Sequence, residues 1–208
     1  MSKKIIAIIL VVVGLLAIAA GVFLVFNKDS DTKNEGATKQ QGGSTMNKDG
    51  KAIVVYFSAQ NHTRNVATKI AANVGADIFE IEPVQAYTED DLSWTDSESR
   101  VSREHNDESL QTIDLKSTTV PNWDEYKTVY IGYPIWWGGS AWPVDSFVKK
   151  IDFGDKTVIP FCTSHSSGLG TSDTDLKAKA TGGNWQPGHR FSQDATDAEI
   201  KTWTDSLL

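Results

Sequence analysis

Three short runs, Lys51–Phe57 (KAIVVYF), Lys127–Gly132 (KTVYIG) and Lys156–Phe161 (KTVIPF), are apolar and β-branched at nearly every interior position. A strand with one wet face alternates polar and apolar residues; a strand covered on both faces does not. Between these runs the periodicity changes. Arg64–Val74 places Val66, Ala67, Ile70, Ala71 and Val74 at helical spacing, with Gly75 as a stop signal. Pro143–Ile151 reads as a helix with proline in its first turn. Thr171–Ala180 and Thr196–Leu207 read as two more, the last carrying Ile200, Trp203 and Leu207 on one face. Asp77–Glu82 alternates as a further strand closed by Pro83, and Gly188–Ser192 is a weak fifth. Strands alternating with helices predict a doubly wound α/β domain: a parallel sheet with helices on both sides.

Such sheets bind ligands beyond the carboxyl ends of their strands, where the strand order reverses. Three conspicuous segments leave that rim. Ser58–Thr63 (SAQNHT) follows the first run, Tyr133–Gly139 (YPIWWGG) the third strand, and Thr163–Gly168 (TSHSSG) the fourth. The second holds Trp136 and Trp137, with Trp142 close behind. Glycine and proline around them predict a loop. Aromatic area on a loop marks a binding surface; the alternative is that the loop folds down and completes the core.

The chain opens with Ser2, Lys3 and Lys4, then runs from Ile5 to Phe26 without a charge. That is long enough to cross a bilayer as a helix. The preceding lysines orient it with the N-terminus in the cytoplasm and the remainder outside. Ala17-Ile18-Ala19 offers a signal-peptidase site, but the apolar run continues past it. Residues 1–26 are therefore expected to be a membrane anchor or, after cleavage, a removed signal, giving a domain anchored on the extracytoplasmic side or secreted. Residues 27–48 are polar with almost nothing to bury, and read as a flexible linker. Residues 49–208 suffice for one domain with a real core. From Met46 onward, 15 Lys and Arg face 24 Asp and Glu. That acidity argues against nucleic acid as a partner and suits a basic protein or a neutral small ligand. The single cysteine, Cys162, cannot form an internal disulfide.

Ser58, Gln60, Asn61, His62 and Thr63 stand between a strand and a helix start. There, unpaired backbone amides and the helix dipole favour an anion. Ser58 and Thr63 add hydroxyls, and Asn61 tolerates the left-handed conformation of a backbone nest. No G-x-G-x-x-G and no G-K-[ST] is present, which leaves a terminal monophosphate rather than a pyrophosphate or triphosphate. The plainer reading makes Thr63 an N-cap and the rest a turn. A planar ligand with one phosphate would use both loops, its ring lying against Trp136 or Trp137. Offset stacking is worth about 0.5–1.5 kcal/mol beyond burial.

The stretches VVYFSAQNHTRNVA, YIGYPIWWGG and VIPFCTSHSSGLG together resemble the flavodoxin family, in particular its short bacterial branch. Arg103-Glu104-His105-Asn106 resembles that branch's E-x-N signature. The resemblance spans about Lys51 to Phe191. It implies a five-stranded parallel sheet of order 2-1-3-4-5 and FMN as cofactor. It gives the phosphate to Ser58, Gln60, Asn61, His62 and Thr63. It gives the isoalloxazine ring to Pro134, Ile135, Trp136, Trp137 and Gly138. Thr163, Ser164, His165, Ser166, Ser167 and Gly168 would close the other side. Where the family usually has threonine, glycine and asparagine, this chain has Gln60, Asn61 and His62, and its third loop departs from T-H-G-G-S-G. The implied function is electron transfer with a redox partner protein or a small quinone-like acceptor, with no catalytic side chain required.

Two other classes remain on the residues alone. Cys162 ends a strand three residues before His165, which allows a nucleophile–base pair in a cysteine-dependent hydrolase. A cofactor-free protein-binding module would present the tryptophan loop to a partner. No H-x-x-x-H or C-x-x-C spacing supports a metal site. Residues 84–110, with eight acidic side chains, read as a charged, exposed second helix around 96–108, or as a partner-docking surface.

Overall fold

The structure, a computed structural model, describes residues 50–208. The expected membrane segment at 1–26 and linker at 27–48 lie outside the described residues. Among those described, no helix is long and apolar enough to cross a membrane.

Four strands run parallel in the sheet, with β2 at one edge: β1 (Lys51–Tyr56), β2 (Asp77–Glu80), β3 (Tyr126–Trp136) and β5 (Thr157–Ser164). A two-residue strand, β4 (Gly139–Ser140), folds back antiparallel on the end of β3. The fifth lateral position is shared by β6 (Asn184–Trp185) and β7 (His189–Ser192), both parallel to β5. The lateral order is thus β2-β1-β3-β5-β6/β7, the expected 2-1-3-4-5 arrangement with its last strand in two pieces. The break falls at Pro187-Gly188. Proline has no amide to donate to the ladder, and an edge position tolerates that loss.

Strand parity divides the core. Along β1, Ile53, Val55 and Phe57 point to one side and Ala52, Val54 and Tyr56 to the other. All six are buried, as the unbroken apolar run requires. Helix α1 (His62–Val74) sends Val66, Ala67 and Ile70 onto the Val54 side, where α5 (Asp197–Asp205) adds Ile200. Helices α3 (Trp142–Val148) and α4 (Ser172–Lys179) cover the Val55 side with Val144, Phe147 and Leu176. Full burial of each such side chain is worth roughly 1.5–3 kcal/mol. The element ends carry their own signals: Gly75 caps α1 in the left-handed region, and Thr196 and Glu199 form a reciprocal capping box on α5.

The remaining helix, α2 (Arg100–Asn106), is shorter than the expected span and is not simply a charged, exposed helix. Val101, Ser102 and Glu104 are buried, and Val101 packs with Ile113 and Trp142. A pattern of three inward residues in one short helix is hidden when the flanking residues are acidic.

Two strands also run further than the sequence suggests. β3 continues through Tyr133, Pro134, Ile135 and Trp136, and β5 through Cys162, Thr163 and Ser164. The expected tryptophan loop is therefore a strand end and a hairpin. Its turn is Trp137-Gly138, with φ of 47° and 82°. Two residues at positive φ joining paired strands make the tight hairpin whose twist matches the sheet.

Candidate functional site

The carboxyl ends of β1, β3 and β5 open on a cleft of about 570 Å³, within the usual range for small-molecule sites. The strand order reverses between β1 and β3, so this is the switch-point crevice of the fold.

The first wall is the β1–α1 turn. Ser58, Gln60, His62 and Thr63 line the cleft, joined by Ala59. Asn61 does not line it; it is the N-cap of α1 and holds the left-handed conformation at φ 66°. Its side chain accepts a hydrogen bond from Arg64 Nη1, and Arg64 also pairs with Glu80 at 2.5 Å. Thr63 is not the cap. It is buried, and its hydroxyl meets that of Thr163 at 2.8 Å, tying the first loop to the third. The first intrahelical bond runs from Asn65 N to Asn61 O. Among the described residues, no hydrogen bond is found from the amides of Ala59 to Thr63 to another protein group. Ser58 Oγ is buried and, among the described residues, is the side-chain oxygen left with no partner. An orphaned buried hydroxyl costs about 1–3 kcal/mol. Its presence beside free amides at a helix start describes a site built to receive an anion.

The second wall is the hairpin. Pro134, Ile135, Trp136 and Trp137 line the cleft, while Gly138 lies outside it at the turn. The three tryptophans divide their duties. Trp142 is buried. Trp136 is partly buried and packs edge-on against Phe57, Tyr87 and Trp142, with centroids 5.7, 5.0 and 5.1 Å away. Trp137 is 43% exposed. The His105 ring stacks on it at 4.5 Å and 13°, and Trp142 at 5.8 Å and 24°. A bulky residue at positive φ is a backbone outlier costing roughly 1–2 kcal/mol. Such strain persists where surrounding structure over-determines it, commonly at ligand sites. Here the determinants are the β3–β4 pairing and the stacks on both neighbours. Ser140 of β4 donates to Asp145 at 2.5 Å, and Lys179 pairs with the same buried carboxylate at 2.6 Å, so the hairpin is anchored to α3 and α4.

Behind Trp136 stands a buried polar group that the sequence only hinted at. Glu104 accepts hydrogen bonds from Tyr87 Oη and Arg100 Nε, both at 2.7 Å, and the Arg100 guanidinium lies 3.8 Å over the Tyr87 ring. Burial first, and then the Glu104 hydrogen bond, pushes the Tyr87 hydroxyl well above its ordinary range. The phenol therefore stays protonated and donating. The E-x-N signature thus acts through Tyr87 on the rear of the tryptophan wall.

The third wall is the β5–α4 loop. Thr163, Ser164, His165, Ser166 and Ser167 line the cleft; Gly168 does not. This loop is largely self-satisfied: Ser164 Oγ donates to Ser167 O. Arg190 of β7 donates to Ser164 Oγ at 3.0 Å, Ser164 O at 2.9 Å and His165 O at 3.3 Å. Sequence reasoning missed Arg190, which is the residue that shapes this wall. It also missed Leu92, Trp94, Val101 and Gln193, all of which line the cleft. Trp94 is 72% exposed. A lone tryptophan within an acidic stretch was the available signal.

Cys162 has no part in the site. It is fully buried, and burial pushes its thiol up to about 12. A nucleophilic cysteine needs a depressed value and access, so the pairing of Cys162 with His165 as a hydrolase is set aside. Among the described residues, no cluster of side chains could hold a metal ion.

What the geometry defines is a doubly wound α/β domain with a neutral aromatic slot beside a turn of unpartnered donors. A profile of the flavodoxin family matches residues 51–207, and the chain belongs to that family. It is similar to solved structures of candidate flavoproteins from Bacteroides uniformis (38% identity, TM-score 0.69) and Bacteroides eggerthii (37% identity, TM-score 0.68). Each alignment covers 76% of this chain and 99% or 98% of the other. A flavoprotein from Lactobacillus acidophilus, solved in complex with FMN, shares the fold at 19% identity and TM-score 0.56, over 74% of this chain and 99% of that one. A search among curated proteins finds no match.

Proposed function

We propose that this domain binds FMN in the cleft and serves as a redox protein. The observation that carries the reading is the unpartnered, buried Ser58 hydroxyl beside free amides at the start of α1. The donor set suits a phosphate, and the slot between the hairpin and the third loop suits an uncharged ring. Ser58, Thr63 and the amides of residues 59–63 would hold the phosphate. Ile135, Trp136 and the exposed area of Trp137 would bear on the ring, with Thr163 to Ser167 opposite. Bound FMN supplies the electron uptake and release. The protein contributes position, apolar surroundings and exclusion of water. The hairpin's anchoring through Ser140, Asp145 and Lys179, and the Tyr87–Glu104 support behind Trp136, keep the slot open and rigid.

The same lining supports a neutral, quinone-like acceptor or direct transfer to a partner protein. Among the described residues, no Lys, Arg, Asp or Glu lines the cleft, which suits an uncharged acceptor beside the ring. The acidic surface suits a basic redox partner. The apolar run at residues 5–26 supports a domain tethered to the membrane on its extracytoplasmic side.

The test is a visible absorption spectrum of the purified full-length protein after FMN is added and excess removed. A retained flavin band at one equivalent is expected. A colourless protein after saturation would overturn the reading.

A further inference from the structure

Among the described residues, the ionisable side chains that line the cleft are two histidines, His62 and His165. They come from the two polar walls: His62 is the first residue of α1, and His165 follows the end of β5. His62 is partly exposed and His165 exposed. The full cations nearby are committed elsewhere. Arg64, two residues along α1, is engaged with Glu80, Tyr56 and Asn61. Arg190, behind the third loop, is spent on Ser164 and the His165 carbonyl. The segment before α2 turns Leu92 and Trp94 to the cleft, while its Asp91 is bonded to Thr88. Beyond β7, Gln193 lines the cleft and Asp194 is exposed. On α2, His105 is held against Trp137.

A phosphate monoester in this cleft would therefore meet hydroxyls, amides and a helix start, but no permanent positive charge. Histidine is the side chain that acquires charge in the mildly acidic range, near pH 6.5 when unperturbed. We propose that His62 supplies the countercharge for the bound ligand's phosphate and makes preference for phosphorylated over unphosphorylated flavin depend on pH. This rests on the FMN reading above and deepens it. The sign follows from linkage. An anion beside His62 stabilises the protonated ring and raises its pKa in the complex. Affinity then increases as pH falls through that raised value, and levels off once the free histidine is also protonated. An opposing change comes from the ligand, whose phosphate takes up its second proton near pH 6. Comparing wild type with His62→Asn at each pH removes the ligand's contribution, because the ligand is the same.

The experiment is a fluorescence titration of the full-length protein with FMN and, separately, with riboflavin, between pH 6 and pH 8.5. Wild type and His62→Asn are compared. The wild-type advantage over His62→Asn in FMN affinity is expected to grow about threefold to tenfold between pH 8.5 and pH 6, tenfold being a one-unit shift. Riboflavin affinity of wild type is expected to stay flat. If FMN binds but that advantage is constant, the countercharge role is overturned while the FMN reading stands. If riboflavin affinity also rises as pH falls, the effect does not involve the phosphate and the proposal is overturned. This arm uses wild type alone, so it holds even if a variant folds poorly. If neither flavin binds at any pH, the FMN reading falls and the proposal with it.

Discussion

The first and third loops of the cleft face each other and differ in how complete they are. The third is finished: Ser164 is bonded to Ser167, and Arg190 grips the backbone at residues 164 and 165. The first is unfinished: among the described residues, Ser58 Oγ has no partner, and no hydrogen bond is found from the neighbouring amides. One bond joins them, the Thr63–Thr163 hydroxyl pair. The contrast separates a wall, which holds shape, from a receptor, which carries unmet hydrogen-bonding capacity. Substitutions should affect them in opposite ways.

The largest effect is expected from Arg190→Met. It removes three hydrogen bonds from a charged donor and leaves the part-buried Ser164 acceptors behind. A loss of about 3 kcal/mol in urea unfolding follows, together with weaker FMN binding. Unchanged stability would show that the third loop holds its shape without the clamp. Thr63→Val breaks the single bond between the loops and leaves the buried Thr163 hydroxyl unpaired, at about 2 kcal/mol. A double-mutant cycle with Thr163→Val should return much of that cost, since both hydroxyls are then gone. Ser58→Ala should have the opposite sign on the protein without ligand. It deletes an orphaned buried hydroxyl, so stability should hold or rise by up to about 1 kcal/mol, while FMN affinity falls about fivefold. A Ser58→Ala protein that loses stability would mean that the hydroxyl is already satisfied.

The smallest effect lies away from the cleft. His189 stacks on Trp203 at 5.2 Å, and burial lowers its pKa. The unfolded chain then binds the proton more readily than the folded one. Stability contributed at this residue is present above the unfolded value near 6.5 and declines as pH falls through it towards the lower folded value. His189→Phe should flatten that part of the urea-midpoint profile between pH 7.5 and pH 5.5. An unaltered profile would remove His189 from the account.

Much of the sheet could be read from the residues because it depends on parity and burial. KAIVVYF, KTVYIG and KTVIPF lie in β1, β3 and β5, and the alternate side chains of β1 fill the two separate cores. The hairpin could not. Proline and two glycines after Tyr133 signal a loop, yet the backbone stays paired through Trp136 and turns at a tryptophan in the left-handed region. Local propensity does not foresee that, because the stack with His105, from a distant part of the sequence, helps sustain it together with nearby Trp142. The cleft's fourth side, from Leu92 and Trp94, was equally hidden. Residues 84–99 have no periodicity, and a short 3-10 turn at Asp90–Leu92 rather than a helix sets the direction of the chain. Arg190 was missed for a simpler reason: it sits in a four-residue edge strand and acts across to a neighbouring strand's end.

The claim at the centre is that the unfinished first loop is completed by the ligand's phosphate. Isothermal titration of the full-length protein with FMN, for wild type and Ser58→Ala side by side with riboflavin, tests it most directly. The account predicts one site per chain, tighter binding of FMN than of riboflavin, and a Ser58→Ala penalty seen with FMN alone. Equal affinity for the two flavins, or an equal penalty with both, would contradict it.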